Sequence, residues 1–458
     1  MSVSKGLPPF DTLIPFDHIQ RGHSFMKKEL SELFMYGEDT EESILRRLAD
    51  MIEQVKSGDF DRDEVVKAVK QQLKKLLELA TDFGFDGNLW HNYIAYFLAM
   101  NENPFSLVCE RKKLDEGTVR EIVRQDMKHI RNLFFYDFSD IEKKLGINSF
   151  SLISDYRAVE KNKKIYNRNV SKKVRELSER LEHSADETQF FNMIEEFYRE
   201  HGVGLLGLNK AFRIEEGHTG GVTFTAINNM DDVTLDDLVG YELQKKKLVD
   251  NTEAFVNGAR ANNVLLYGDS GTGKSTCIKA IINQYHDRGL RMIELYKHQF
   301  RDLSCVISAI KKRNYRFIIY MDDLSFEDTE TEYKFLKAVI EGGVETRPDN
   351  VLIYATSNRR HLIKESWNDK NDHTNQDDIH HSDTVEEKLS LSNRFGVTIG
   401  FFKPLPKEYE EIVIALAKRA GLDMDEESLI REARAWEMSH GGISGRTAQQ
   451  FIDHIMYR

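Results

Sequence analysis

The spacing of apolar positions divides the chain into two parts. Up to about residue 210, apolar side chains recur at helical intervals, as in the stripe formed by Leu45, Leu48 and Ile52. After Asn228, short runs rich in β-forming residues alternate with helical stretches, which is typical of a parallel α/β sheet. We therefore predict a mainly α N-terminal domain, residues 1–210, followed by an α/β domain.

The second part of the chain contains five apolar runs with the length and composition of strands. They cover residues 263–267, 291–295, 316–321, 351–355 and 397–401. Pro404 and Pro406 then interrupt the pattern. Three short helical stretches follow, at residues 408–420, 426–438 and 445–457. This order predicts a parallel sheet with a small helical bundle at its C-terminal end.

A cluster of glycines marks the boundary between the two parts. The glycines are Gly202, Gly204, Gly207, Gly217, Gly220 and Gly221. We predict a Gly-rich linker at residues 211–231, although residues 222–226 alternate like a short strand. The α/β domain is then expected at residues 232–405 and the helical bundle at residues 406–458.

Composition and charge restrict the class of protein. The 458 residues carry 64 basic and 76 acidic side chains, a net charge of −12, which disfavours a nucleic-acid-binding field over the whole chain. The three cysteines, Cys109, Cys277 and Cys305, are far apart, so they indicate neither a disulfide framework nor a zinc site. The first twenty residues lack the apolar core of a signal peptide. No apolar run is long enough to cross a membrane, and we expect a cytoplasmic protein.

The strongest chemical signal is a phosphate-binding loop. Residues 268–275 match G-x-x-x-x-G-K-[ST] in full, after an apolar strand and before a helical stretch. Such a loop aims backbone N–H groups and a helix N-terminus at an anion. Lys274 would neutralise the β- and γ-phosphates, and Ser275 would bind Mg²⁺. The predicted nucleotide-binding residues are Gly268, Asp269, Ser270, Gly271, Thr272, Gly273, Lys274, Ser275 and Thr276.

A second motif is acidic. The apolar strand at residues 316–321 ends in Asp322 and Asp323, and a carboxylate at the end of such a strand holds magnesium in nucleotide sites. Asp322 is the predicted metal ligand. Asp323 is the predicted general base that activates water. Glu327 is an alternative base, since aspartate is one methylene shorter than glutamate.

Three further polar residues occupy positions at which they would complete a site. Asn358 lies among the small polar residues that follow the strand at residues 351–355 and would position the attacking water. Arg394 precedes the last strand and would reach the γ-phosphate of a neighbouring subunit as an arginine finger. Arg446 opens the last helix and would approach the nucleotide from the bundle. Val239 and Gly240 lie in an apolar segment that would flank the adenine.

These residues, in this order, resemble the AAA+ ATPases, with Lys274 in a Walker A loop and Asp322 in a Walker B strand. The resemblance is closest to a bacterial AAA+-type family catalogued as a domain of unknown function, on the runs at residues 322–327, 354–362 and 386–396. It implies an α/β P-loop NTPase core, with a parallel sheet and helices on both faces, and a C-terminal helical lid. It also implies ATP and Mg²⁺ as ligands and a homo-oligomer, such as a ring, with the site between subunits.

Two polar segments give weaker signals. Residues 161–180 hold eight basic and two acidic side chains, which suit either a phosphate backbone or a solvated helix face. Residues 366–385 combine three histidines with five aspartates, and a loop inserted between core elements is favoured there over a metal site.

The leading hypothesis is a Mg²⁺-dependent ATP hydrolase that couples its nucleotide state to a change of conformation or assembly. Its N-terminal domain would bind an unknown protein client. The first alternative is an ATP-gated loader or adaptor that contacts nucleic acid through residues 161–180 and hydrolyses little. A nucleotide-bound structural protein without turnover is the second. No membrane partner is expected.

Overall fold

The computed structural model describes most of the chain. The described residues are 25–37, 43–110, 112, 116–158, 167–216, 221–228, 230–326, 330, 332–341, 348–360, 362 and 391–457. Six features of the sequence lie outside them: the first twenty residues, Gly217 and Gly220 of the glycine cluster, Glu327, the segment 366–385, residues 386–390 of the family-like run, and residues 161–166 of the basic segment. Among the described residues, no helix is both long and apolar enough to span a membrane.

The N-terminal part is helical, as the apolar spacing predicts. Its helices are α1 Phe25–Ser31, α2 Ile44–Ser57, α3 Arg62–Phe83, α4 Leu89–Met100, α5 Pro104–Cys109, α6 Thr118–Phe134, α7 Ser139–Leu145, α8 Ser149–Ser154, α9 Arg168–Glu182, α10 Glu187–His201 and α11 Gly204–Leu208. Side chains cap several starts; Asp61, for example, accepts hydrogen bonds from the N–H groups of Asp63 and Glu64. The apolar stripes meet in one core, where the Tyr36 and Tyr198 hydroxyls are 2.9 Å apart.

The second part is built on a seven-stranded sheet. Its strands are β1 Ala211–Glu216, β2 Val222–Ala226, β3 Val264–Gly268, β4 Leu290–Glu294, β5 Arg316–Met321, β6 Val351–Ser357 and β7 Val397–Phe401. Their order is β2-β1-β4-β5-β6-β3-β7, and all neighbours are parallel except β1 and β2. Strand β6 therefore lies between β3 and β5. Because these three strands are parallel, their C-terminal ends lie side by side on one side of the sheet.

Helices cover both faces of the sheet. They are α12 Glu242–Val256, α13 Lys274–Tyr285, α14 Leu303–Ile310 and α15 Tyr333–Glu341. One apolar core contains residues of α12 and α13, and a second contains residues of α14 and α15. The central strands are buried on both faces, so they read as continuous apolar runs. The predicted fold class, an α/β P-loop core with helices on both faces, is confirmed.

Three C-terminal helices form the lid. They are α16 Pro406–Ala420, α17 Glu426–Ser439 and α18 Gly445–Met456, close to the predicted ranges. They have a core of their own, centred on residues such as Val413, Leu429 and Phe451. Pro406 stands in the first turn of α16, where its missing N–H costs no intrahelical hydrogen bond.

The linker prediction for residues 211–231 needs correction. Strands β1 and β2 lie within this segment and belong to the sheet, with β1 parallel to β4. The strand-like alternation of residues 222–226 is confirmed as β2, whereas β1 was not predicted because its polar residues Arg213, Glu215 and Glu216 interrupt the apolar pattern. The segment therefore extends the α/β core instead of separating it from the helices.

The N-terminal helices contact the sheet where its parallel strands begin, on the side opposite to the C-terminal ends of β3, β5 and β6. At this contact the buried carboxylate of Glu110 accepts hydrogen bonds from the Tyr315 hydroxyl at 2.6 Å and from Arg313 Nη2 at 2.9 Å. Arg291 on β4 donates to the carbonyl groups of Leu206 and Gly207 at the end of α11. Burial and the Glu110 carboxylate raise the pKa of Tyr315, which keeps its hydroxyl a donor.

This contact should make Glu110 important for stability. Glu110→Ala would leave the buried Tyr315 hydroxyl and the Val203 N–H without their acceptor, whereas Arg313 keeps Glu102 as a partner. We expect the free energy of unfolding to fall by about 2–4 kcal/mol. Chemical denaturation monitored by circular dichroism measures the change. Glu78→Ala removes an exposed carboxylate that pairs with a lysine on α3, and it should change stability by less than about 1 kcal/mol. Equal effects of the two substitutions would contradict the role of Glu110.

Candidate nucleotide site

The phosphate-binding loop connects β3 to α13. Gly268 ends β3, residues 269–273 form the loop, and Lys274, Ser275 and Thr276 make the first turn of α13. Gly273 has a φ of 89°, and a Cβ atom there would lie 2.2 Å from the side chain of Leu238. The positive φ therefore favours glycine at this position, and any Cβ atom would force the Leu238 side chain to move. The loop and the helix N-terminus together present N–H groups to an anion.

Lys274 is held across the loop. Its ammonium group donates to the carbonyl oxygens of Gly268 at 3.0 Å and Asp269 at 2.7 Å, and to Asn358 Oδ1 at 3.1 Å. Burial lowers the pKa of the Lys274 ammonium, while the carboxylates of Asp323 and Asp269 oppose that shift. A phosphate group beside Lys274 would add the negative charge that favours the protonated amine.

The end of β5 brings Asp322 next to the loop. Asp322 Oδ1 accepts a hydrogen bond from Ser275 Oγ at 2.8 Å and from Thr356 Oγ1 at 2.5 Å. Burial raises the pKa of the Asp322 carboxyl, but the hydrogen bonds from Thr356 and Ser275 outweigh it, and the net shift is downward. Asp322 is thus kept ionised, with a hydroxyl oxygen beside it.

Asp323 follows in an uncommon backbone conformation. Its φ is 48°, in the left-handed region that Asp and Asn tolerate better than most residues. The Asp323 N–H donates to Thr356 Oγ1 at 2.9 Å, and Asp323 Oδ1 accepts from Asn358 Nδ2 at 2.8 Å. Asn358 therefore joins Lys274 to Asp323. The turn aims the second carboxylate at the phosphate loop.

Thr356 is a site residue that the sequence reasoning missed. Its hydroxyl donates to Asp322 and accepts from the Asp323 backbone, so it orients both acidic residues. The side chain is fully buried at the end of β6. The sequence contained a signal for this residue. Side chains alternate between the two faces of a strand, so a threonine two residues before Asn358 is expected on the same face as that asparagine.

Thr356→Val keeps the shape of this side chain and removes its hydroxyl. We expect ATP turnover to fall by about 10- to 100-fold, since both carboxylates lose a positioning contact. The lost hydrogen bond also raises the pKa of Asp322, so the acidic limb of the pH–rate profile should move to higher pH. Thr398→Val, at an exposed position of β7, is the matched control and should leave the turnover and the pH–rate profile unchanged. A normal pH–rate profile in Thr356→Val would contradict the assignment.

An apolar segment before α12 forms the side wall of the site. Leu238, Val239 and Tyr241 line the cavity, whereas Gly240 adjoins them with a φ of 81°. The Tyr241 hydroxyl donates to the Phe402 carbonyl at 2.6 Å, which fastens the segment to the end of β7. This wall has the apolar character that a nucleobase would contact.

The lid closes the site from the other side. Arg446, in the first turn of α18, lines the cavity, and its backbone N–H donates to the Gly271 carbonyl at 3.2 Å. Arg419 on α16 pairs with Asp237 at 2.9 Å. The lid thus contacts both the phosphate loop and the apolar wall. Arg446 and Lys274 place two cations at one site, and Arg446 therefore disfavours the charged form of Lys274.

These elements enclose a cavity of about 980 Å³, at the upper end of the usual range for small-molecule sites. The predicted residues on its wall are Val239, Ser270, Gly271, Thr272, Gly273, Lys274, Ser275, Thr276, Asp322, Asp323, Asn358 and Arg446. Gly268 and Asp269 support the loop from behind; Asp269 Oδ2 accepts from the Lys403 N–H at 2.8 Å. Arg394 is half-buried before β7 and does not line the cavity.

The donor set fits magnesium. Ser275 and Asp322 offer adjacent oxygen atoms, which suit a hard cation that keeps several waters and binds with substrate phosphates. Among the described residues, no group of three or more histidine, cysteine or acidic side chains has the arrangement of a metal site.

Comparisons with known proteins place the chain in a family. A model for the family described as "Protein of unknown function (DUF815)" matches residues 208–458, which is more than half of the chain. No curated protein matches the sequence. The prediction of a family catalogued as a domain of unknown function is confirmed by this match.

Solved structures resemble the chain over about half its length. The Thermotoga maritima RuvB Holliday junction branch migration motor is 17% identical, with a TM-score of 0.35, and the match covers 49% of this chain and 64% of that one. The FIGL-1 AAA domain in complex with ADP is 19% identical, with a TM-score of 0.33 and coverage of 48% and 70%. The phosphate loop and the helical lid, together with every strand of the sheet, lie within the matched residues. The chain belongs to the DUF815 family.

Proposed function

We propose that this protein is a Mg²⁺-dependent ATPase of the AAA+ type, which couples its nucleotide state to a change of conformation or assembly on a protein client. One observation carries the proposal. Lys274, Asn358 and Asp323 form a continuous hydrogen-bonded chain in the same cavity as the Ser275–Asp322 pair. A phosphate-binding cation, a polar amide, a second carboxylate and a metal-binding pair are the groups that phosphoryl transfer to water requires.

Each residue has a distinct role in the proposed reaction. The loop N–H groups and Lys274 hold the β- and γ-phosphates. Asp323 accepts the proton of the attacking water, which Asn358 orients through its amide. Mg²⁺, held by Ser275 and Asp322, would neutralise charge on the phosphate oxygens.

The lid supplies the link between nucleotide and conformation. Arg446 stands on a helix that contacts the phosphate loop through Gly271, so a γ-phosphate would attract the lid and its loss would release it. The lid also pairs with the apolar wall through Arg419. Hydrolysis would therefore change the angle between the lid and the sheet. The N-terminal helices, held rigidly by Glu110, would carry the client.

Arg394 motivates the proposal of a homo-oligomer. Arg394 does not line the cavity of its own chain. It would instead contact the γ-phosphate bound by a neighbouring subunit, since a guanidinium group pairs well with phosphate oxygens. A ring is one assembly that would bring Arg394 to such a site. The proposed site is then complete only between two chains.

The steady-state ATPase rate per subunit, measured over a wide range of protein concentration, tests this function. We expect a Mg²⁺-dependent rate that rises and saturates as subunits associate. An equal mixture of Arg394→Ala and Lys274→Ala chains should recover activity that neither variant has alone, because each provides the group that the other lacks. Complete absence of turnover would contradict the enzyme assignment. Failure of the mixture to recover activity would contradict the shared site.

The described part of the basic segment, from residue 167 onward, gives the nucleic-acid alternative little support. Within α9, Lys172 lies 3.8 Å from Glu176, and Arg180 pairs with Glu196. Lys173 is half-buried, and its ammonium donates to the Leu208 carbonyl at 3.4 Å. Burial lowers the pKa of Lys173 to about 7. A mobility-shift assay with DNA at low salt, where electrostatic binding is strongest, should therefore show no complex.

A further inference from the structure

The edge of the sheet farthest from the phosphate loop has an unusual composition. Strand β2, Val222–Ala226, reads Val-Thr-Phe-Thr-Ala and lies at the end of the strand order. Among the described residues, no strand pairs with its outer side. Natural edge strands usually carry lysine, proline or a bulge that prevents pairing with another chain. Strand β2 has no charged residue and no proline, so its edge is open to a further strand.

The register of β2 shows which backbone groups face outward. The Ile227 N–H donates to the Ala211 carbonyl at 2.8 Å, and Phe224 lies opposite Ile214. Hydrogen-bonded and non-hydrogen-bonded pairs alternate along an antiparallel ladder. Thr223 and Thr225 therefore exchange hydrogen bonds with β1. The N–H and C=O groups of residues 222, 224 and 226 point away from the sheet.

We propose that β2 pairs with β2 of a second copy of this chain, antiparallel, around a two-fold axis at Phe224. In this register Phe224 lies opposite Phe224 of the second copy, and Val222 lies opposite Ala226 of the second copy. All three outward-facing residues of each strand then form hydrogen-bonded pairs. The two sheets become one continuous sheet across the axis.

The side chains of β2 favour a copy of the same strand as the occupant. A two-fold axis places the central residue against itself, so a charge there would repel its own copy. Phe224 instead forms an aromatic pair, and Thr223 meets Thr225 of the second copy on the exposed face. Phe224 is half-buried against the core beneath the sheet. A second copy would cover its remaining surface.

The proposed contact is small, and it does not involve the ATP site. Two five-residue strands bury less than the roughly 1,200 Å² of a standard interface, so the dimer should depend on concentration. Strand β2 is five positions from β3 in the strand order. The pairing is thus independent of ATP and of Arg394. It would join two chains, or two rings, edge to edge.

Disulfide trapping tests the register directly. In the proposed pair the Cα atoms of Thr223 and Thr225 of the second copy are about 4.5 Å apart, within the range for a disulfide. Two identical positions are diagonal neighbours at roughly 7–8 Å, which is too far. We would make T223C and T225C separately in a C305S background, because Cys305 is the exposed native cysteine.

The expected result is specific to the mixture. T223C and T225C chains mixed and oxidised without nucleotide should give a covalent dimer of twice the 53.2 kDa chain mass, and each variant alone should give none. Cross-linking of either variant alone would overturn the register. No cross-link in the mixture at high protein concentration would overturn the proposal.

A proline substitution provides a second test that does not depend on cysteine chemistry. Ala226→Pro removes an outward N–H and leaves the ladder with β1 intact, which an edge strand tolerates. Two symmetry-related hydrogen bonds would be lost, and sedimentation equilibrium should show dimerisation weakened about tenfold or more. Ala226→Val keeps the N–H and should dimerise normally. The ATPase rate should stay unchanged in both variants, and equal dimerisation of the two would overturn the proposal.

Discussion

Lys274→Ala is expected to weaken ATP binding by about 100-fold or more, equivalent to roughly 3 kcal/mol. Lys274 is the cation that the loop holds in place through the Gly268 and Asp269 carbonyl groups and Asn358. Alanine would remove the charge that balances the β- and γ-phosphates in a partly buried site, where charge interactions are poorly screened. Isothermal titration calorimetry with ATP and Mg²⁺ measures the loss.

Lys279→Ala is the matched control for this substitution. Lys279 lies on the same helix, but it pairs with Asp231 at 2.9 Å and does not line the cavity. Its removal should change ATP affinity by no more than about twofold, since exposed ion pairs contribute little. Thermal unfolding without nucleotide would show that both variants are folded. ATP affinity in Lys274→Ala equal to that of the unmodified protein would refute the site assignment.

Asp323→Asn should separate ATP binding from hydrolysis. Asparagine adopts the left-handed conformation that Asp323 occupies, and its amide oxygen can still accept the hydrogen bond from Asn358. The substitution therefore removes the base with little change in geometry. We expect turnover to fall by about 100- to 10,000-fold. ATP affinity should be unchanged or higher, because a negative charge near the γ-phosphate is lost.

The same substitution decides between the two candidate bases. If Glu327 were the base, Glu327→Gln would abolish turnover and Asp323→Asn would retain most of it. We expect the reverse order. Single-turnover measurements with bound ATP distinguish loss of chemistry from slow product release. Loss of ATP binding in Asp323→Asn would instead show that Asp323 belongs to the binding part of the site.

The phosphate loop and the strand pattern were readable in the sequence because their requirements are local. A loop that surrounds an anion needs glycine at fixed positions and a lysine directly before the helix, so residue types at short spacing specify it. Central parallel strands are buried on both faces, and their apolar runs stand out for the same reason. The fold class followed from these signals, the family followed from the longer runs at residues 322–327, 354–362 and 386–396, and both are confirmed.

Other features depend on contacts between distant parts of the chain. The role of Thr356 exists because β6 lies between β3 and β5, which puts its hydroxyl between two acidic residues over thirty positions earlier. Glu110 meets Arg313 across some two hundred residues. A glycine-rich stretch resembles a linker until β1 is seen to pair with β4 and β2 with β1.

The sequence by itself thus determined the class of the core, the identity of the phosphate loop and the residue types that the chemistry needs. Local spacing encodes these properties directly. Only the tertiary structure decided that Lys274, Asn358 and Asp323 form one chain of hydrogen bonds, that Arg394 stands outside its own cavity, and that β2 leaves an edge open. Strand order and the packing of elements determine which side chains meet, and no short window of sequence carries that information.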